Sequence, residues 1–369
     1  MFKYFSLILN SKWSFLLPRK SPILIYNSQS LKFVNILFSK HSFEIYEGGK
    51  EKINIPVLIL SIIKFGFNNI SDNYKKVYFT KVNPKLVYTS IDNNIAFFKL
   101  KRLYPNAIYI ADQNGMRDNK FFLTCKRFIK ETKKKLITDY FFCFGENDKN
   151  KIKKIINGKI LVLGSTINNE YNKFSINNKV IKKLIFVSST AVHALKIDDI
   201  IFKNLIRYKF KKKFKLIYVD KPQGHITKDI SPSLRKKNFL ERYGKDFYYY
   251  SGKKFNDSYK LINDDTAVIF AGSTLGYEAF ASGNRCISFN HQKYHYDYKY
   301  KRKGAFWDQN RDLKSITSII NKVLSYSKAD WNNVYKKYSK QILVFDKKNK
   351  TKKSIINKIL KSKWKNILL

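Results

Sequence analysis

Cysteine is scarce in this sequence, which contains three among its 369 residues. Cys125, Cys143 and Cys286 show no CxxC or CxxH spacing, so neither a disulfide framework nor a cysteine-based zinc site is indicated. The chain also lacks an HExxH pattern and a DxD beside a predicted strand, and we expect no bound metal. Because unpaired thiols of this kind fit a reducing compartment, we expect a cytoplasmic protein.

Long hydrophobic runs are also missing. No window reaches the ~18 apolar residues that a transmembrane helix needs, and the best one, residues 55–63, is flanked by lysine. Asn10, Ser11 and Lys12 interrupt the apolar residues near the N-terminus, and we expect no signal peptide. One alternative stays open, an interfacial helix that would bring peripheral contact with an anionic inner membrane. It would be formed by Phe2, Phe5, Leu9, Trp13, Leu16 and Leu17 in alternation with Lys3, Lys12 and Arg19.

Acidic residues and arginine are few relative to lysine. The 73 basic residues outnumber the 27 acidic ones and give a formal charge of +46, yet only 10 of the 73 are arginine. A dedicated nucleic-acid binder uses arginine for bidentate contacts and concentrates its charge on one element, whereas lysine is spread along this whole chain. We therefore interpret the charge as a result of AT-rich coding and do not expect nucleic acid as a partner. Such a positive surface still favours an acidic donor molecule and anionic lipid.

The sequence does contain a regular alternation of short apolar segments with longer segments of helical periodicity. This alternation is typical of βα units around a parallel sheet. In the first half we predict strands at residues 23–26, 43–46, 86–88, 107–110, 140–144 and 160–163. In the second half we predict strands at residues 184–187, 216–219, 247–250, 267–270 and 286–289, with helices at 198–208, 232–242, 274–282 and 313–325.

A polar, asparagine-rich stretch, residues 165–178, separates the two series and has no apolar periodicity. We place an interdomain linker there, since the chain is long enough for two domains of similar size. The predicted organisation is a first domain at residues 1–165, a linker at 166–180, a second domain at 181–345 and a basic C-terminal helix at 346–369. The predicted fold class is α/β, with two Rossmann-like domains that face each other across a cleft.

The most informative segment, residues 267–289, reads AVIFAGSTLGYEAFASGNRCISF. Small residues after the apolar strand permit a tight turn, and Ser273 and Thr274 are good N-caps for the helix that follows. The start of that helix directs free N–H groups and a positive dipole end into the crevice, where a phosphate would bind. Glu278 lies one turn further on, where its carboxylate can accept hydrogen bonds from both hydroxyls of a ribose. The alternative is a capped helix with a solvent-exposed Glu278.

This segment is similar to the donor-site motif of GT-B glycosyltransferases, and in particular to surface-carbohydrate biosynthesis proteins of bacterial polysaccharide and O-antigen loci. Residues 86–118, LVYTSIDNNIAFFKLKRLYPNAIYIADQNGMRD, resemble that family's strand, Asp-Asn-Asn, helix, strand and Gln-Asn-Gly arrangement. FCFGENDK at residues 142–149 and LVLGSTINNE at residues 161–170 also match in order and spacing. The resemblance implies an enzyme that transfers a sugar from a nucleotide-sugar donor to a growing surface polysaccharide or lipopolysaccharide, without a tightly bound cofactor. The first domain would face the glycan or lipid-linked glycan acceptor and the second would bind the donor.

Polar residues at the predicted strand ends complete the candidate site, because ligands gather at the carboxyl ends of parallel strands. The donor-binding candidates are Ser273, Thr274, Gly276, Glu278, Ser188, Ser189 and Lys221, of which Lys221 would neutralise the leaving group. The candidate bases are Asp92 and Asp112, with Asp92 preferred, and the candidate acceptor contacts are Asn93, Gln113, Asn114 and Arg117. For each of these residues, turn or capping chemistry is the alternative.

The sequence leaves other functions open. Related glycerophosphotransferases and Kdo transferases often carry histidine where this chain has Asn114, which makes a scaffold without catalysis an alternative. A glycerophosphotransferase or a UDP-sugar epimerase would use the same two-domain frame, and a basic nucleic-acid-binding protein is an alternative from another class. The chain has neither GxxxxGK[ST] nor GxGxxG, so ATP hydrolysis and dehydrogenase chemistry have no support.

Overall fold

The computed structural model describes residues 11–47, 52–117, 119–176, 179–188, 195–220, 232–252, 256–289 and 302–362. Within these ranges the chain forms two large parallel β-sheets with helices packed on their faces. The strands are β1 (Lys12–Ser14), β2 (Ile23–Tyr26), β3 (Glu44–Tyr46), β4 (Lys52–Asn54), β5 (Leu86–Thr89), β6 (Ile108–Asp112), β7 (Leu136–Cys143), β8 (Ile156–Val162), β9 (Lys183–Val187), β10 (Lys215–Asp220), β11 (Tyr248–Ser251), β12 (Thr266–Phe270) and β13 (Arg285–Ser288).

The helices of the described residues follow the strands in regular alternation. They are α1 (Leu31–Leu37), α2 (Ile55–Phe65), α3 (Ile70–Val82), α4 (Phe97–Leu103), α5 (Asn119–Thr132), α6 (Glu146–Ile152), α7 (Thr166–Tyr171), α8 (Leu195–Lys212), α9 (Pro232–Tyr243), α10 (Thr274–Ala281), α11 (Leu313–Ser325), α12 (Lys328–Ile342) and α13 (Lys350–Lys361). Short 3-10 turns occur at Ser28–Ser30, Asp257–Leu261 and Lys347–Asn349.

The first large sheet has the strand order β3-β2-β5-β6-β7-β8, and all neighbouring strands are parallel. Strands β2 and β5 are buried along their whole length, as expected where helices cover both faces of a parallel sheet. The strand order reverses between β2 and β5, so a crevice is expected at their carboxyl ends.

The second large sheet has the order β11-β10-β9-β12-β13 and is also parallel throughout. Its order reverses between β9 and β12, and β12 is buried at every residue. The two series of predicted strands are therefore confirmed, and α11 has the predicted bounds. Strand β7 begins at Leu136, four residues before the predicted start, because the polar Thr138 and Asp139 interrupt its apolar pattern.

The segment before β2 differs from the predicted alternative of an amphipathic helix. Residues 1–10 lie outside the described residues, and residues 12–14 form strand β1, which pairs in parallel with β4. Among the described residues, no single helix combines the length and apolar character needed to cross a membrane. Helices α2 and α3 meet that criterion only when taken together, and they are bent by 113° relative to each other.

The C-terminal helix α13 returns to the first sheet. Its Ile356 is fully buried in a core that also contains Ile23 and Leu86. The predicted linker begins with helix α7, whose Asn168 and Asn169 are buried. The domain boundaries themselves remain a prediction. The buried residues of α7 and α13 explain how the two segments that connect the sheets are held in place.

Candidate functional site

The start of helix α10 lies where the strand order of the second sheet reverses. Strands β9 and β12 are neighbours at this point, and α10 begins at Thr274, four residues after β12 ends. Ser273 occupies the predicted N-cap position, but its side chain makes no capping hydrogen bond. Because the first N–H groups of a helix lack partners within the helix, the absence of this cap leaves donors for an anion.

The loop that follows β6 in the first sheet touches this helix start. The backbone N–H of Met116 donates to Thr274 Oγ1 at 3.2 Å. A Cβ atom on Gly115 would lie 3.4 Å from Thr274 Oγ1 and 3.9 Å from an Nη atom of Arg117, so Gly115 lies close to both side chains. The candidate acceptor loop and the candidate donor helix are therefore in direct contact, with the Arg117 guanidinium beside them.

Glu278 is enclosed rather than exposed. Its side chain lies one turn into α10, and only 3% of the residue is accessible to solvent. The hydroxyl of Ser165 donates to Oε1, and the hydroxyl of Tyr259 donates to Oε2 at 2.5 Å. Burial raises the pKa of the Glu278 carboxyl above its usual range, although these two bonds oppose the shift. The alternative of a solvent-exposed Glu278 is therefore wrong.

Gly276 has a packing role that the sequence does not reveal. A Cβ atom at this position would lie 2.1 Å from the ring of Phe270, the last residue of β12. Only glycine lets α10 pack this closely on its strand. The predicted donor contact by Gly276 stays a prediction, but the structure supplies an independent reason for the residue.

Asp92, the preferred base, is engaged by two residues of the loop after β6. Arg117 donates to both carboxylate oxygens, from Nε to Oδ2 at 2.7 Å and from Nη2 to Oδ1. The backbone N–H of Asn114 also donates to Oδ1, at 3.1 Å, and Asp92 is fully buried. In this arrangement Asp92 orients Arg117 and the Asn114 turn, and its role as a base remains a prediction.

Gln113, a predicted acceptor contact, uses its amide to shape the loop. Oε1 accepts from the backbone N–H of Phe144 at 3.0 Å, while Nε2 donates to the Gly115 carbonyl at 3.0 Å and to Asp148 Oδ2 at 2.9 Å. Sequence reasoning missed Asp148, whose one signal was its place in the first turn of the helix after β7. Burial raises the pKa of Asp148 to about 6.

Asp112, the second predicted base, forms a buried ion pair with Lys352 of the C-terminal helix. Lys352 Nζ donates to Asp112 Oδ1 at 2.7 Å, and both side chains are fully buried. The other oxygen, Oδ2, accepts from the hydroxyls of Tyr88 and Thr166 at 2.9 and 2.6 Å. These contacts contradict the prediction of a base that faces the cleft, because the carboxylate anchors α13 within the protein interior.

The remaining predicted residues do not take part in the contact between the loop after β6 and the start of α10. The Ser188 hydroxyl donates to Asp198 Oδ2 at 2.8 Å, so it serves a buried bond at the start of α8. Asn93 is exposed in the turn after β5. Ser189 and Lys221 lie outside the described residues. Thr274 contacts the loop that carries Asn114 and Arg117, whereas Glu278 is held by Ser165 and Tyr259.

Two parallel Rossmann-like sheets that meet in this way define the GT-B class, and the predicted fold is confirmed. The sucrose-phosphate synthase of Thermosynechococcus elongatus is similar with a TM-score of 0.53 at 10% identity, over 92% of this chain and 99% of that chain. The UDP-GlcNAc 2-epimerase of Neisseria meningitidis, solved with bound UDP-GlcNAc, has a TM-score of 0.52 at 10% identity, over 92% and 99%. The wall teichoic acid polymerase TagF has a TM-score of 0.51 at 10% identity, over 93% of this chain and 89% of that chain. At such low identity the likeness establishes the fold alone.

The sequence itself matches one family. A family model described as "putative O-antigen biosynthesis protein" matches residues 191–360, which include the whole of α10 and most of the second sheet. Among curated proteins, none matches the sequence. The resemblance to surface-carbohydrate biosynthesis proteins is thus confirmed, and it rests on the half of the chain that carries Glu278.

Proposed function

We propose that this chain is a glycosyltransferase that moves a sugar from a nucleotide-sugar donor to a surface polysaccharide or lipopolysaccharide acceptor. The observation that carries the proposal is the pairing of two features on one helix. The start of α10 has an N-cap serine that forms no cap, and a buried carboxylate follows one turn later at Glu278. Four residues of helix rise about 6 Å, a spacing that suits a phosphate at Thr274 and a ribose at Glu278.

In the proposed complex Glu278 accepts a ribose hydroxyl in place of one of its two present protein hydroxyls. Ser165 and Tyr259 each donate to a different carboxylate oxygen, as two neighbouring ribose hydroxyls would. Ser165 belongs to the segment that joins the halves, so a small opening there would release Oε1 to the donor. Tyr259 would stay in place, because burial raises its pKa well above the usual value and keeps it a hydroxyl donor.

In the proposed reaction the acceptor hydroxyl oxygen attacks the anomeric carbon of the donor sugar. The bond from that carbon to the phosphate oxygen breaks, and the nucleoside diphosphate leaves with the electron pair. We assign stabilisation of this developing charge to the start of α10 and to Arg117, whose guanidinium lies near Gly115 in the loop that contacts Thr274.

We assign the role of base to Asp92, which becomes available once Arg117 moves away from it. When a donor phosphate draws the guanidinium away, Asp92 Oδ2 loses its present partner, while Oδ1 keeps the bond from the Asn114 N–H. The freed carboxylate can accept the proton of the acceptor hydroxyl, as an inverting transfer requires.

The test is thermal stabilisation by nucleotides, because a ligand that binds only the folded state raises the melting temperature. The panel contains UDP, GDP, CDP, ADP, CMP and their sugars, tested on the wild type, on Glu278→Gln and on Glu241→Gln. Glu241 is the matched control, since its side chain on α9 is 63% exposed and its loss changes the net charge equally. We expect one nucleotide class to stabilise the wild type and the control, and Glu278→Gln to lose most of that shift.

Equal stabilisation of all three proteins by every polyanion would refute the donor site, because the positive charge alone would then explain binding. An epimerase is the second candidate, favoured by the likeness to a UDP-GlcNAc 2-epimerase over 99% of that chain. Interconversion of a nucleotide sugar without any acceptor would select the epimerase. Stabilisation by CDP compounds alone would favour the glycerophosphotransferase.

A further inference from the structure

Helix α2 exposes several apolar side chains that an ordinary surface helix would bury. Its sequence, IPVLILSIIKF, is almost wholly apolar, yet its buried residues are only Val57 and Ser61. Ser61 is fully buried and donates its hydroxyl to the Leu58 carbonyl, whereas Ile63 is 76% exposed. A surface helix normally buries its apolar face and exposes its hydroxyls. The outward isoleucines of α2 therefore require an apolar surrounding that the described chain does not provide.

The exposed face of α2 continues into the N-terminal strand. Strand β1 pairs with β4, which leads directly into α2, and the Asn54 side chain donates to the Leu16 carbonyl at 2.6 Å. The whole surface, which we name the apolar patch, consists of Trp13, Phe15, Leu16, Leu17, Ile59, Ile63, Phe65 and Phe67. These eight residues are half of the large apolar side chains exposed in the described chain. Clustering of this kind marks an interaction surface, since single exposed apolar residues are normally scattered.

Exposed basic residues are numerous in this part of the chain. In the described residues from 11 to 82 they are Lys12, Arg19, Lys20, Lys40, Lys52, Lys64, Lys76 and Lys81. Within residues 11–47 and 52–82 the one exposed acidic residue is Asp72, which pairs with Lys75 at 2.8 Å. The exposed charge in this part of the chain is thus mainly positive, although the half-buried Glu44 and Glu47 line a pocket together with Leu16 and Leu17.

We infer that the apolar patch binds the surface of an anionic membrane. Aromatic and aliphatic side chains can enter the boundary between headgroups and acyl chains, while the exposed lysines of the same part of the chain contact anionic headgroups. Eleven helical residues extend about 16 Å, which suits a helix lying along the interface rather than one that crosses a hydrocarbon core of about 30 Å. The inference needs no transfer chemistry, so it stands or falls apart from the proposed function.

The experiment is sedimentation of the full chain with vesicles of neutral phosphatidylcholine, or of phosphatidylcholine with a third of phosphatidylglycerol. The patch variant is Ile63→Ser with Phe67→Ser. The control is Val180→Ser with Phe210→Ser, which removes two side chains that are 77% and 62% exposed elsewhere. We expect the wild type and the control to bind anionic vesicles, and the patch variant to bind at least about tenfold more weakly, because two buried apolar side chains are lost. All changes lie at exposed positions, so we expect the wild type and both variants to have equal melting temperatures. This measurement verifies that the variants are folded.

A second measurement follows insertion directly. Of the four tryptophans, Trp13 is 48% exposed, Trp307 and Trp331 are buried, and Trp364 lies outside the described residues. Brominated lipid should quench the fluorescence of the wild type, and Trp13→Phe should remove most of that quenching. Equal binding of the patch and control variants would overturn the inference, because charge alone would then suffice. It would also be overturned if the patch variant converted a lipid-free dimer to a monomer, or if vesicle binding appeared only after deletion of residues 2–10.

Discussion

The buried ion pair between Lys352 and Asp112 gives the sharpest prediction for stability. In Lys352→Met the Asp112 carboxylate stays buried without its cation, which typically costs about 3–5 kcal/mol of unfolding free energy. The ammonium also donates to the Gly164 carbonyl at 2.8 Å and to Thr166 Oγ1 at 2.7 Å, so two further bonds are lost. A loss of this size is a large fraction of the ~5–15 kcal/mol that holds a typical domain folded.

The adjacent lysine is the matched control. Lys353 pairs with Glu170 at 3.4 Å, but its side chain is 35% exposed, and an ion pair of this kind contributes at most about 1 kcal/mol. Urea denaturation followed by circular dichroism should therefore separate Lys352→Met from Lys353→Met by more than about 2 kcal/mol. If the two variants differ by less than about 1 kcal/mol, the buried pair does not anchor α13 and the reasoning is refuted.

A double variant tests the pairing itself. In Asp112→Asn with Lys352→Met no unpaired charge remains, so the combined loss should be smaller than the sum of the two single losses by about 2 kcal/mol or more. Strict additivity would show that the two groups do not interact. Transferase activity retained by the double variant would agree with a purely structural role for Asp112.

Two further predictions concern Asp148 and Gly276. Burial raises the pKa of Asp148 from 3.8 to about 6, so the folded state holds this proton more tightly and stability falls as pH rises from about 4 to about 6. Asp148→Asn should therefore be more stable than the wild type above pH 6, by up to about 3 kcal/mol, and equal to it near pH 4 in melting curves. Gly276→Ala should lose about 1–3 kcal/mol in urea, because its Cβ would overlap the Phe270 ring; a gain would contradict the packing described.

The strands and their grouping into two series could be predicted from the sequence because that pattern is local. Each strand of the two large sheets is a short apolar segment, and the helix after it shows its own periodicity. The donor segment was found in the same way, since Ser273 and Glu278 stand at fixed distances from one strand end. These features depend on residues that are close together in the chain.

The surroundings of the candidate site could not be predicted, because they depend on partners far away in the chain. Asn168 lies in a stretch that reads as a polar linker, yet it is buried because its Oδ1 accepts from the Ser282 hydroxyl at 3.0 Å. Glu278 reads as a helix-surface residue until the hydroxyls of Ser165 and Tyr259 cover it. Polarity predicts exposure only when no distant group satisfies the hydrogen bond.

One lysine and one isoleucine also differ from what their polarity predicts, since the lysine is buried and the isoleucine is exposed. Lys352 stands in the basic C-terminal region, where the sequence indicates a solvated helix, and the tertiary structure buries it on Asp112. Ile63 stands in the most apolar helix of the first half, and the structure exposes it. The sequence by itself determined the strand order along the chain and the local chemistry at each strand end. Only the tertiary structure decided which charges are buried and which apolar side chains face outward, because these depend on contacts between residues that are far apart in the chain, such as Asp112 and Lys352.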